Sequence, residues 1–237
     1  MVSNQKIQVL ENTEHIKALN KIFEPLEFEE RLKKIYDYFS EDEVIYTTSF
    51  GAKSVFLIHL LHKINPKQKV HFINTTYHFE ETISYMHQLK ELYNLNVIEV
   101  LPKGKEHQLT KEQQWWKEHP KMCCTINKIA PLTPHLLNYK IWLTGILSTE
   151  TQLRLHKRVF EQQGDIIKFH PILDVSAKNI ELYMYLHNLL QHPLKSSGYG
   201  SIGCSHCTVK GIGRSGRWQG KANHTECGLH INHYYNK

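Results

Sequence analysis

Residues 43–64 read EVIYTTSFGAKSVFLIHLLHKI: a β-branched and aromatic run, a small polar turn, and an apolar run at helical spacing. The first part predicts a strand over Glu43–Ser49, and the last predicts a helix over Lys53–Ile64. The two would meet in a turn that contains Gly51. A strand followed by a helix in this way is typical of the beginning of a parallel α/β sheet.

The same alternation continues to about residue 175. Further predicted strands are Lys69–Asn74, Asn96–Leu101, Lys140–Thr144 and Ile166–Ile172, and further predicted helices are Glu14–Phe39 (one or two), Glu80–Tyr93 and Lys178–Gln191. We therefore expect an α/β fold: a Rossmann-like parallel sheet with helices on both faces, binding ligands beyond the carboxyl ends of its strands. The chain would divide into an N-terminal helical region (1–40), an α/β domain (41–192) and a glycine-rich, basic C-terminal segment (193–237).

The composition is that of an ordinary globular chain, with 237 residues, 41% hydrophobic and 22% charged residues, and a formal charge of +6. The positive surplus fits phosphate or sulfate ligands, nucleic acid, or no specific partner. No apolar run approaches the roughly 20 residues of a membrane span, and no signal peptide is evident, so we expect a cytoplasmic protein. In that reducing compartment, five cysteines are better explained as metal ligands or reactive thiols than as disulfides.

The turn after the first predicted strand is a candidate anion site. It comprises Ser49, Phe50, Gly51, Ala52, Lys53 and Ser54. Backbone N–H groups at a helix N-terminus carry partial positive charge, and hydroxyl side chains donate to phosphate oxygens. The glycine spacing is not that of a Walker loop, so the turn indicates an anion without identifying the ligand.

Four cysteines fall into two close pairs, Cys123 with Cys124 and Cys204 with Cys207. Four thiolates suit a tetrahedral zinc ion or an iron–sulfur cluster. Neighbouring residues on a helix point about 100° apart and fit one tetrahedral ion poorly. We therefore favour a 4Fe-4S cluster, whose iron corners are separated, over zinc or buried structural thiols. Lys128 would lie near such a cluster if its surroundings are helical, and its charge would offset that of the cluster.

The remaining thiol, Cys227, is a candidate nucleophile. It precedes Gly228 and lies close in sequence to Arg214, Arg217 and Lys221. Positive charge favours the thiolate that nucleophilic attack requires. A glycine-flanked cysteine in a terminal segment could reach a substrate and then a second thiol. The alternative is an inert surface cysteine.

Four short motifs occur together: CCTINKIAPL (123–132), SIGCSHCT (201–208), GRW (216–218) and ECGLH (226–230). This combination resembles the assimilatory sulfonucleotide reductases, over about residues 44–230. The two cysteine pairs resemble those of members that reduce adenosine 5'-phosphosulfate (APS) and carry a 4Fe-4S cluster. Relatives without these pairs mostly use the 3'-phosphorylated substrate, PAPS. The resemblance implies a fold of the adenine nucleotide α-hydrolase type.

The resemblance also implies a mechanism. The thiolate of Cys227 would attack the sulfur of APS and expel AMP, and thioredoxin or a glutaredoxin-like thiol donor would release sulfite from the S-sulfocysteine. Lys128, Arg217 and His230 would act near the sulfonucleotide. Residues 49–54 would bind the substrate together with Thr144, Gly145, Arg154 and Arg214. Neither nucleic acid nor a membrane is an expected partner.

Three positions depart from the pattern of that family. INTT (73–76) stands where Leu-Asp-Thr-Gly is usual, so Asn74 replaces a carboxylate and a glycine is lost. TGILS (144–148) stands where Thr-Gly-Leu-Arg and a further Arg are usual, so Leu147 replaces a phosphate-binding charge. Lys53 stands where an acidic residue is common. We hypothesise that Lys53 supplies part of the charge lost at Leu147.

Two other functions stay open from the sequence. An ATP-dependent thiolation enzyme of the same fold would need a Ser-Gly-Gly-x-Asp loop, which residues 49–54 do not provide. A zinc-stapled module could instead bind nucleic acid, with Trp218 among Arg214 and Arg217 as a stacking platform.

Overall fold

A computed structural model describes residues 2–218, 226 and 228–230, and it describes side chains from residue 13 onward except at position 230. A six-stranded sheet forms its centre, in the order β3-β2-β1-β4-β6-β5. The strands are β1 (Val44–Thr48), β2 (Val70–Ile73), β3 (Val97–Val100), β4 (Ile141–Leu143), β5 (Phe160–Gln163) and β6 (Ile166–Phe169). All pairs are parallel except β5 with β6. Each of the five predicted strands is confirmed, and so is the α/β class.

The antiparallel strand β5 is the element that the sequence patterns did not predict. It pairs with β6 across a two-residue connection, Gly164 and Asp165, with Gly164 at φ 59°. A Gly-Asp pair between extended runs is a hairpin signal. The strand was hard to recognise because Phe160–Gln163 reads FEQQ and is only half-buried in its middle, as befits the edge of a sheet.

Helices cover both faces of the sheet. They are α1 (Val2–Phe23), α2 (Phe28–Tyr38), α3 (Ser54–Ile64), α4 (Glu80–Leu92), α5 (Gly104–Glu112), α6 (Trp115–Glu118), α7 (Pro120–Cys124), α8 (Ala130–Leu136), α9 (Ala177–Leu186) and α10 (Pro193–Ser196). A π-helical turn, Thr125–Ile129, joins α7 to α8. In the part of the chain that the structure describes, no helix is both long and apolar enough to cross a membrane.

Helix α9 ends at Leu186, five residues before the predicted Gln191. The reason is Asn188, which adopts the left-handed conformation at φ 48°. The N–H of Leu189 then donates to the carbonyl of Met184 at 2.9 Å, the hydrogen bond that closes a Schellman end. Asparagine tolerates this conformation, so it stops a helix that apolar periodicity alone would continue.

The N-terminal helices pack against the same core as the sheet. Phe23 and Leu32 are fully buried there, and the Phe23 ring lies 4.9 Å from that of Phe160. The Arg31 guanidinium, almost completely buried, pairs with Asp174 at 2.6 Å. The described part of α1 therefore covers the β5 edge, and α2 packs on α3 over one face of the sheet.

The strand order places a crevice at one end of the sheet. Strands β1 and β4 are neighbours, while the chain runs from β1 outward through β2 and β3 before it returns to β4. Ligands of open α/β sheets bind where the order reverses, beyond the carboxyl ends of the strands. Here that point lies between the turn after β1 and the turn at Thr144–Gly145, which follows β4.

Candidate active site

A cavity of about 220 Å³ lies at this crevice. Its lining includes nearly all the predicted substrate-binding residues: Ser49, Gly51, Ala52, Lys53, Ser54, Thr144, Gly145, Arg154 and Arg214. Lys128 and Arg217 line it too. The structure therefore brings together groups that the sequence separates by more than a hundred residues, and their charges suit an anionic ligand.

The turn after β1 is shaped by Phe50, which has a left-handed backbone at φ 50°. Its ring is fully buried and packs on Phe72 with 5.1 Å between centroids, so its side chain belongs to the core rather than to the cavity. The Phe50 N–H donates to the Thr48 hydroxyl at 3.1 Å. A non-glycine residue in this region of the Ramachandran plot stores strain, which such turns often carry at binding sites.

Gly51 and Ser54 have structural partners in this turn. The Ser54 hydroxyl donates to the Gly51 carbonyl at 2.7 Å. A Cβ at Gly51 would lie 3.2 Å from the carbonyl oxygen of Ile202. The absence of a side chain at Gly51 therefore allows the C-terminal segment, at Ile202, to pack closely onto the turn.

Arg154 is the most deeply buried cation of the cavity, with 4% exposure. Its Nη1 donates to Glu150 at 2.7 Å, and its Nη2 donates to Glu226 at 2.9 Å. Arg214 lies 3.6 Å from Glu150 and 3.7 Å from Glu226. Burial lowers the pKa of Arg214, and the two carboxylates oppose that effect. The arginines predicted to bind substrate thus share two carboxylates, which the sequence analysis did not single out.

Trp218 lies under two guanidinium groups. The Cζ atom of Arg217 is 4.8 Å from its ring centroid, and that of Arg214 is 5.3 Å away. The ring is buried, at 6% exposure, which removes the stacking platform on which the nucleic-acid alternative depended. Gly203 makes room for this arrangement, because a Cβ there would collide with the Arg217 guanidinium.

The four paired cysteines line one small second cavity. Cys123, Cys124 and Cys204 are buried, and Cys207 is half-buried. Three residues, Lys128, Cys204 and Trp218, line both this cavity and the arginine-lined one. The two predicted sites are therefore neighbours.

The thiols differ in their surroundings. Burial raises the pKa of Cys123 to about 12 and that of Cys207 to about 11, and the neighbouring thiols add to the effect. Burial acts in the same direction on Cys204, but Lys128, Thr75 and Arg217 outweigh it and lower its pKa. The Thr75 hydroxyl lies 3.3 Å from the Cys204 sulfur.

The donor set fits a sulfur-ligated cofactor. Four thiols share one cavity, and hydrogen-bond donors approach two of the sulfurs, as is typical of the surroundings of iron–sulfur ligands. Among the described residues, however, no three His, Cys, Asp or Glu side chains are arranged to hold a metal ion. The grouping of the cysteines supports a cofactor site, while a ligand geometry is not formed.

Two predicted catalytic groups lie outside what the structure describes: Cys227 and the side chain of His230. The residues beside them are described. Glu226 is buried, and Gly228–His230 form a 3-10 turn that contacts the π-helical turn.

The structure shows the surroundings of three residues that depart from the family pattern, at positions 74, 76 and 147. Leu147 is buried in the core. Asn74 donates to Glu99 at 2.7 Å and accepts from the N–H of Thr76 at 2.9 Å. Thr76, in the place of the usual glycine, has the left-handed φ of 62°.

Sequence reasoning missed His78, which lines the first cavity. Burial lowers its pKa to about 4, so the ring is neutral at pH 7. Its Nε2 donates to the Ile73 carbonyl at 3.0 Å, and within the described part of the chain its buried Nδ1 has no hydrogen-bond partner. His78 comes four residues after the predicted strand end at Asn74. Because ligands bind beyond the carboxyl ends of such strands, this position could have indicated it from the sequence.

The fold and the cavity define an α/β protein with a crevice, lined by lysine and arginine side chains, at the reversal of strand order. Residues 43–210 match the phosphoadenosine phosphosulfate reductase domain, and the chain belongs to this family.

Similar proteins support the same family assignment. The chain is 38% identical over 199 residues to an adenosine 5'-phosphosulfate reductase of Bacillus cereus strain 03BB102, covering 80% of this chain and 85% of the relative. It is 37% identical over 205 residues to the protein of that name from Bacillus mycoides strain KBAB4, with 81% and 85% coverage. The crystal structure of a PAPS reductase from Candida auris, in a phosphate complex, superposes with a TM-score of 0.71 at 25% identity, covering 83% of this chain and 97% of that one.

The fold is shared more widely. The FMN adenylyltransferase of Candida glabrata superposes with a TM-score of 0.55 at 14% identity, covering 85% of this chain and 66% of that one. At this identity the likeness concerns the fold alone, and it agrees with the predicted α/β architecture.

Proposed function

We propose that this protein reduces APS to sulfite and AMP, with Cys227 as the nucleophile. The observation that carries the proposal is the shared wall of the two cavities. Lys128, Cys204 and Trp218 line both the arginine-lined cavity and the four-cysteine cavity. An anion site beside four grouped thiols is the arrangement that the motif combination implies.

The reaction would proceed in two steps. The Cys227 thiolate attacks the sulfur of APS, an S–S bond forms, and the sulfur–oxygen bond to AMP breaks, so AMP leaves with the bridging oxygen and the electron pair. A thiolate of the donor then attacks the cysteine sulfur and releases sulfite as a mixed disulfide forms. The second thiol of a thioredoxin or glutaredoxin-like donor resolves this disulfide, so the donor is oxidised and Cys227 is restored.

The described residues would hold the anionic groups of the substrate. Arg217, Arg214 and Lys128 line the cavity and offer positive charge to the sulfate and phosphate. The N-terminus of α3 and the turn before it would contact the nucleotide phosphate. A carboxylate partner, Glu150 or Glu226, would have to share its arginine with the substrate.

Cys123, Cys124, Cys204 and Cys207 would hold the 4Fe-4S cluster. Bound there, it would supply a charged group beside the substrate site. Lys128, which lines both cavities and hydrogen-bonds to Cys204, would stand between cluster and substrate. A reducing cytoplasm would keep both the thiols and the donor reduced.

The choice of APS over PAPS rests on the two cysteine pairs and on the names of the Bacillus relatives. The test is sulfite release by anaerobically purified protein with reduced thioredoxin, with APS and PAPS in parallel. We expect sulfite from APS, none from the Cys227→Ser variant, and a visible cluster absorption in both proteins. Sulfite from PAPS alone would mean that PAPS, rather than APS, is the substrate. No sulfite from either nucleotide, with the cluster intact, would contradict the proposal.

A further inference from the structure

Two buried charged side chains hold the chain on either side of Cys227, at the residue before it and at the second residue after it. Glu226 precedes it and is 2% exposed. Leu229 follows it by two residues and is held through its backbone by Lys168, which is 1% exposed. Neither charged residue belongs to the residues that the family motifs assign to substrate or cofactor.

The Glu226 carboxylate has partners on both oxygens. The Thr151 hydroxyl donates to one oxygen at 2.9 Å, and Arg154 Nη2 donates to the other at 2.9 Å. Arg154 Nε also lies 2.5 Å from the first oxygen, and Arg214 is 3.7 Å from the second. A buried carboxylate is stable only while it is paired, so moving Glu226 away would leave an uncompensated buried charge. These contacts therefore fix the residue beside Cys227.

Lys168 fixes the other side. It lies on β6, between β4 and the edge strand β5, with its ammonium 4.4 Å from the Trp142 ring centroid. That ammonium donates to the Leu229 carbonyl at 2.7 Å. The Leu229 side chain is buried in the same apolar cluster as Trp142 and Ile45. A buried lysine on an inner strand is costly, and this one satisfies a backbone acceptor of the C-terminal segment.

We propose that Glu226 and Lys168 are positioning residues that fix the described residues on either side of Cys227, Glu226 and Gly228–Leu229, at the arginine-lined cavity. The proposal rests on the proposed function, because it assigns the positioned group as the nucleophile. Arg154 lines that cavity and holds Glu226 as well, so the substrate site and the segment share one guanidinium. Correct placement of a nucleophile raises kcat more than it changes substrate affinity.

The first test follows the segment itself, in the full chain and without substrate. We expect amide hydrogen exchange in peptides that contain Gly228 and Leu229 to speed up roughly tenfold or more in Glu226→Gln and in Lys168→Met. Thr151→Val, which removes one donor to Glu226, should give a smaller change in the same direction. Glu112→Gln, which removes one negative charge at an exposed position, is the control. Unchanged exchange in both main variants would overturn the proposal, whatever reaction the protein catalyses.

The second test separates positioning from competition for Arg154. With APS and reduced thioredoxin, we expect kcat to fall roughly tenfold in Glu226→Gln while KM stays within about twofold. A lower KM with unchanged kcat would instead mean that Glu226 only competes with the anionic substrate, and the positioning role would be wrong. If wild type releases no sulfite, the proposed function fails, and the exchange measurement still decides whether these residues hold the segment.

Discussion

Lys53 stands where the resemblance to the sulfonucleotide reductases leads us to expect an acidic residue. Its ammonium lies 3.3 Å from the Glu150 carboxylate, at the edge of the cavity, with 30% of the side chain exposed. Glu150 also contacts Arg154 and Arg214, so Lys53 neutralises a carboxylate that would otherwise repel an anion. The hypothesis that Lys53 replaces charge lost at Leu147 stays a prediction with this pairing as its physical basis.

We therefore expect Lys53→Ala to raise the KM for APS roughly fivefold with little change in kcat, since a partly exposed ion pair contributes about 1 kcal/mol or less. Steady-state kinetics measure this. Lys63→Ala removes the same charge at the opposite, exposed end of α3 and is the control. An unchanged KM in Lys53→Ala would contradict the hypothesis.

Thr76 carries backbone strain where the family pattern has glycine. Its φ of 62° costs a non-glycine residue about 1–2 kcal/mol. Glycine loses about 0.5–1 kcal/mol more entropy on folding, so Thr76→Gly should stabilise the fold by roughly 0.5–1 kcal/mol. Urea denaturation measures the difference. Thr133→Gly, at an exposed position inside α8, should instead lower the free energy of unfolding. A lower free energy of unfolding in Thr76→Gly would contradict the proposed backbone strain at Thr76.

At the scale of elements, α1 covers the β5 edge of the sheet. The Asn20 amide donates to the Phe160 carbonyl at 2.9 Å and accepts from the Phe160 N–H at 2.9 Å, as a neighbouring strand would. An uncovered edge strand presents unpaired backbone groups that promote aggregation. One buried side chain thus ties the N-terminal helix to β5.

Asn20→Ala would leave the buried N–H and C=O of Phe160 without these partners, at a cost of about 1–3 kcal/mol. We expect this loss in the free energy of unfolding, measured by urea denaturation, together with greater aggregation on storage. Lys17→Ala, which removes only an exposed ion pair to Glu14 on the same helix, should change stability by less than about 0.5 kcal/mol. Equal effects of the two changes would show that α1 does not cover β5 in this way.

The elements that could be predicted from the sequence are those whose apolar residues match their burial in the structure. The β1 run, Val44–Thr48, is buried throughout, so its β-branched and aromatic side chains predicted it. Strand β5 was missed because its neighbours, more than its own residues, determine its conformation. Helix ends at Asn188 and at Asn94 (φ 48°) depend on single left-handed residues rather than on periodicity.

At the scale of the whole molecule, the sequence indicated which residues belong to the candidate site, but it did not indicate which of them contact one another. The four cysteines were grouped from their spacing and thiol chemistry, whereas Arg154 was predicted only from the resemblance to the sulfonucleotide reductases. The pairing of Arg154 with Glu226 spans 72 residues and needs the fold to bring the two together. Lys168 gave no signal, because one lysine in an apolar strand is usually exposed at an edge.

Stability of the whole molecule should depend on pH through its buried histidines. Burial lowers the pKa of His71, His78, His170 and His192 to about 4. In the unfolded chain a histidine has a pKa of about 6.5, so between about pH 6.5 and about pH 4 the unfolded state binds protons that the folded state does not. The free energy of unfolding must therefore fall as pH falls through this range, by up to about 1.4 kcal/mol per pH unit for each such group.

We expect the unfolding free energy of the full chain, from urea titrations followed by tryptophan fluorescence, to decrease by several kcal/mol between about pH 7.5 and about pH 5. His192→Asn should reduce the slope, because asparagine keeps a side-chain acceptor for the N-terminus of α10 but does not titrate. His87→Gln, at an exposed position, should leave the slope as in wild type. A wild-type stability that is flat across this range would mean that these histidines become protonated without unfolding the chain, and their burial as neutral rings would then be wrong.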